Sequence, residues 1–257
     1  MVPKEQVKHP KYIFETTLFT LPAPQRILSS QFLKGDPDRT GFQVSGKENQ
    51  ENQILQPLSE GVSFKSAVYS WQFWLAMCIF CCFGFISFSI WVHIVPHAVE
   101  LKISTISAAS IISIMSAFSI LGNFGLGGIG GDKFGNRKII VFGFVLMIAA
   151  LILLVIYKDL WLLYIAAGLF GLSFGSMAAS EPPIVARLFG LRSHGLILGF
   201  IGLGFTIGGS LGPVVAGYLF DFSGTYRMTF IICSIIGLIG LILSMSLRPL
   251  KSYNVKL

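Results

Sequence analysis

The residues with the most chemical potential gather in one short run, Gly128-Ile-Gly-Gly-Asp132-Lys133-Phe-Gly135-Asn-Arg137-Lys138. Its carboxylate and three cations can pair with one another or with helix ends. Gly128 and Gly131 remove side chains where two helix ends could approach, and Gly135 permits a tight reversal. A further carboxylate, Glu181, follows the uncharged run Leu160 to Ser180. A charge so near hydrocarbon is costly unless paired, so Arg137 is its expected partner, against the simpler reading that it snorkels to water. His93 and His97 stand four apart, on one face of a helix that continues past Pro96. Histidine titrates near neutral pH, which opens proton coupling and solute contact to them; interfacial packing beside Pro96 is the favoured alternative. Cys78 and Cys81 have the spacing of a redox or metal pair, but their setting is apolar and no second pair exists. Nothing resembles a nucleophile with its base, a phosphate loop or a zinc site, so no enzyme activity, cofactor or metal is expected.

The elements that carry these residues follow from charge spacing. No Lys, Arg, Asp or Glu lies between Lys65 and Glu100. Further uncharged runs cover Ile103 to Gly131, Ile139 to Tyr157, Leu160 to Ser180, Ser193 to Phe220 and Met228 to Leu247. The shortest, Ile139 to Tyr157, holds 19 residues, and about 20 apolar residues cross a hydrocarbon core of about 30 Å. A spanning backbone must satisfy its own hydrogen bonds, which makes these runs helices. The spacing predicts an all-α membrane protein with six spans near 70–96, 103–130, 138–157, 160–181, 194–219 and 227–247. Short breaks make neighbouring helices antiparallel. Gly195, Gly199, Gly204, Gly208 and Gly212 form a run of small residues suited to close helix packing. His93, Ser119 and Asn123 are candidate cavity residues because they are polar within spans.

Composition agrees. Only 12% of residues are charged, about half the roughly 25% of soluble domains, and the mean hydropathy is +0.73, so much of the surface must face lipid. The net charge of +7 comes from scattered cations rather than a basic stripe, which excludes nucleic acid as a partner. Lys65, Lys133, Arg137, Lys138, Arg187, Arg192, Arg248, Lys251 and Lys256 fall on one side of the predicted topology. Positive loops stay cytoplasmic, so both termini are expected there, in the plasma membrane. Residues 1–69 read as a mixed-charge cytoplasmic tail with a short helix near Gln25 to Leu33, and 250–257 as a second tail. No secretory signal is expected in Met1 to Pro10.

The Gly-x3-Asp-Lys-x-Gly-x-Arg-Lys spacing resembles the signature loop of the major facilitator superfamily, which repeats it in each six-helix half. Arg187 to Gly195, Gly208 to Pro213 and Gly217 to Tyr226 are similar to the C-terminal half of its monocarboxylate and oxalate/formate branch. Phe32 to Gly41 is similar to the loop joining the two halves. The resemblance implies a fold equal to one half of a twelve-helix transporter, with solute held near mid-membrane. It implies transport of a small solute, small carboxylates by the branch, with a coupled proton or counter-substrate, and either a homodimer or a separate N-terminal half as partner. A non-transporting membrane scaffold is the alternative. By the same resemblance Gly128, Asp132, Lys133, Gly135, Arg137, Lys138 and Glu181 form a gate, with Asp132 bonded to Arg137 or to amides near Gly195. The second span lacks the Arg that carboxylate carriers place there, reading Leu121-Gly-Asn123-Phe124-Gly-Leu instead.

Overall fold

The computed structural model describes residues 61–248, which are helical apart from short turns and contain no strand. Six helices are long and apolar enough to cross a bilayer: α1 (Trp71–Glu100), α2 (Thr105–Phe134), α3 (Asn136–Ile156), α4 (Leu160–Phe189), α5 (His194–Ser223) and α6 (Arg227–Met245). The protein is an all-α integral membrane bundle. A one-turn helix, Phe64–Val68, leads into α1, with Ser63 accepting from the Ser66 amide at 3.3 Å. The helix expected near Gln25 to Leu33, the Phe32 to Gly41 match and residues 250–257 lie outside the described residues.

Two helices run past the ends that charge and proline suggest. Pro96 does not break α1, which continues to Glu100; a proline forfeits a single backbone bond in an otherwise stable last turn. Likewise α4 passes through Glu181, Pro182 and Pro183 to Phe189. Near its end α2 widens into a π-helical stretch, Gly122–Ile129, and returns to α over Gly130–Phe134. Four glycines in that stretch, Gly122, Gly125, Gly127 and Gly128, carry no side chains to crowd the wide turn.

The helices do not pack in sequence order. α1 lies against α5 and α6, α3 against α4 and α6, and α2 against α4. Glycines set the closest of these contacts. A Cβ on Gly204 would meet the backbone of Met77, one on Gly208 that of Cys81, and one on Gly212 that of Phe85. From the other side, a Cβ on Gly84 would strike the Phe205 carbonyl. The partners rise together in number, so α1 and α5 run parallel. The same holds for α2 and α4, where Gly171 meets Met115 and Gly175 meets Ser119. Phe80, Phe83, Ile86, Phe144 and Phe170, each at most 1% exposed, fill the centre.

Candidate functional site

α5 presents three faces one residue apart in phase. Gly204, Gly208 and Gly212 are buried on α1. Leu196, Phe200, Leu203, Ile207 and Leu211 are large, apolar and exposed, as lipid contact requires. Between them run Gly195, Gly199, Gly202, Thr206 and Ser210, small or polar and mostly exposed. Thr206 and Ser210 satisfy their hydroxyls on their own helix, at 3.1 Å to the Gly202 carbonyl and 2.9 Å to that of Thr206. The packing expected of Gly195 and Gly199 is therefore corrected: a Cβ on either would meet no heavy atom within 4 Å. The five glycines belong to two stripes, because the step from Gly199 to Gly204 is five residues and turns the chain onto another face.

The candidate cavity residues divide in the same way. The Asn123 side chain is exposed. Asn123 and Ser119 give α4 their backbone, since a Cβ on Gly175 would meet the Ser119 carbonyl and the Asn123 amide. His93 is tied into the bundle through both ring nitrogens, Nδ1 lying 3.3 Å from the Tyr226 hydroxyl and Nε2 3.1 Å from the Pro213 carbonyl. It joins α1, α5 and the turn before α6, and as placed it holds no free nitrogen for a solute. His97 shares its face, packing edge-on to Phe230 with ring centroids 4.8 Å apart. Its Nδ1 is 3.3 Å from Glu100, a hydrogen bond that becomes an ion pair only when the ring is protonated, and no other acid–base pair forms among the described residues. The same Glu100 oxygen accepts from the Tyr226 amide at 3.4 Å. Burial, then the Glu100 and Asp221 carboxylates, pushes the Tyr226 hydroxyl above the usual phenol range, so it remains a neutral donor. Glu100 and Tyr226 were not singled out by sequence. The i+3 spacing of His97 and Glu100 is a helical pairing signal, whereas nothing local marks Tyr226.

At the opposite end, Gly135 ends α2 with φ 88°, a conformation that favours glycine, and α3 starts at once. This turn aims Arg137 at the C-terminus of α6, where its guanidinium donates to the Met245 carbonyl. Unpaired carbonyls and the negative end of the helix dipole make that a good cation site. Asp132 is exposed on the last turn of α2, and Lys133 and Lys138 are also exposed. The expected Asp132–Arg137 bond, and a bond from Asp132 to amides near Gly195, are not formed. Nor is the Glu181–Arg137 pair: no such ion pair exists among the described residues. Glu181 instead faces α5, its Oε1 3.9 Å from where a Gly202 Cβ would stand. Gly128 does not mediate a helix approach either. Gly122 and Gly127 do so, against Leu172 and Ser176, while Gly131 meets the Asn136 side chain. The π stretch shifts the register of the residues that follow it.

This arrangement is a helical wall with one small, polar, uncovered stripe and a charged turn at one end. Residues 99–256 match the sequence pattern of the Major Facilitator Superfamily. No curated protein matches the chain.

Proposed function

The chain belongs to the major facilitator superfamily of secondary transporters, and from that premise we propose that its six helices form one half of a transporter working by alternating access. The observation that carries this reading is the uncovered stripe of α5. Lipid-facing helices do not need glycine, threonine and serine on a face where leucine and phenylalanine already occupy the next stripe. A face lining a solute pathway does. Thr206 and Ser210 on α5, with Asn123 and Ser119 on α2, are the polar groups that such a pathway would meet.

The solute is small. Uncharged runs leave this half without a fixed Lys or Arg in mid-membrane, so a small carboxylate would find its cation on the other half. A coupled proton has an acceptor in Glu181, half-buried and without an ion partner among the described residues. The opposite wall of the pathway comes from a second set of helices facing the stripe of α5. Lys65, Lys133, Arg137, Lys138, Arg187, Arg192 and Arg248 mark the cytoplasmic end, where Asp132 and its neighbouring cations gate the pathway in a state other than this one. The protein resides in the plasma membrane.

A substrate-free test is available. In a background with the four cysteines replaced by alanine, Ser210→Cys in native membranes reacts with a water-soluble maleimide, and Leu211→Cys, one residue away on the lipid stripe, does not. If both thiols were equally silent, α5 would have lipid on each uncovered face and the reading would fail.

A further inference from the structure

At the basic end of the bundle a cavity of about 610 Å³ lies between α3, α4 and the end of α6. Its mouth carries Arg137, Lys138 and Arg187, and no carboxylate lines it. None of the three cations has an acidic partner among the described residues. The Arg187 guanidinium stands at the turn, 3.3 Å from where a Gly135 Cβ would be. Arg137 gives an N–H to the Met245 carbonyl and keeps the rest of its donors. The first turn of α3 joins the mouth, and its cap, Gly135, supplies no side-chain acceptor.

Below the mouth the chemistry reverses. Val141 and Val145 of α3 and Ile184 and Leu188 of α4 make apolar walls. Phe142 and Val145 are 44% and 45% exposed, so the groove opens sideways along a membrane-spanning helix, not into water alone. From Lys138 to Val145 the wall descends about 10 Å at 1.5 Å per residue. A free phosphate would be satisfied by the cations and would leave that wall empty. A cationic rim above an apolar groove at a membrane surface fits an amphiphile with an anionic head.

We infer that this groove binds an anionic glycerophospholipid, with its phosphate held by Arg137, Lys138 and Arg187 and one acyl chain lying along α3. In the proposed orientation the lipid belongs to the inner leaflet. The site is separate from the stripe of α5, so binding here does not depend on what the transporter carries.

Native mass spectrometry of the full chain in detergent tests it, with phosphatidylglycerol and phosphatidylcholine of identical acyl chains as probes. Phosphatidylglycerol is retained in preference. Each cation near a membrane surface contributes about fivefold in affinity, so Lys138→Gln with Arg187→Gln lowers retention roughly twenty- to thirtyfold. Arg192→Gln, which removes a neighbouring cation outside the cavity, leaves it unchanged. Lys138→Arg with Arg187→Lys keeps the charge and retains the lipid, which separates lost binding from lost folding. Millimolar glycerol 3-phosphate does not displace it. Equal retention of the two lipids, wild-type retention by the double glutamine variant, or displacement by glycerol 3-phosphate would each overturn the inference.

Discussion

Asp132 has the composition of an ion pair around it and makes none. An exposed carboxylate with no partner contributes little to the fold, and surface substitutions of that kind change stability by about 0.5 kcal/mol or less. Asp132→Asn therefore leaves the melting temperature of the solubilised protein nearly unchanged. If the residue gates, the same variant slows solute turnover in the assembled transporter. Wild-type turnover would remove it from the gate. The turn itself was legible, because Gly135 occupies the position between α2 and α3 that takes positive φ. Its partners were not. Arg137 finds a carbonyl 108 residues away, and His93 a hydroxyl 133 residues away. Such pairings depend on how helices pack around the bundle, and charge spacing along the chain carries no trace of that order.

At the scale of helices, uncharged length was a good guide to existence and a poor one to ends. The spans expected to end at 96 and 181 both run on, the first through Pro96 and the second through Glu181, Pro182 and Pro183. One or two missing hydrogen bonds do not unwind a helix that its neighbours hold. The π stretch of α2 was hidden for the opposite reason, since a run of glycines has no periodicity to read. The two classes of glycine on α5 give a direct energetic test. Gly208→Val forces a side chain into the Cys81 backbone and costs about 1–3 kcal/mol, the range for overpacking. Gly199→Ala, with open space around it, is neutral or stabilising by up to about 1 kcal/mol, as expected for glycine in a helix interior. Thermal unfolding in detergent separates the two, and equal losses would refute the division of the stripe.

For the molecule as a whole, the two ends differ in charge. One end holds Glu100, Asp159 and Asp221 beside Lys102, Lys158 and Arg227, and the other is strongly basic. An impermeant amine reagent applied to sealed, right-side-out cells labels Lys158 and spares Lys138. Labelling of both would place them on a common side and dissolve the bundle. The parallel contacts have a mechanical corollary. With carbonyl against bare Cα at three successive levels, α1 and α5 form a single beam, and α2 with α4 forms another. Neither pair can shear internally without driving backbone into backbone. Deformation of this bundle is left to the contacts between the beams, among them those of α3 and α6, the two shortest spans.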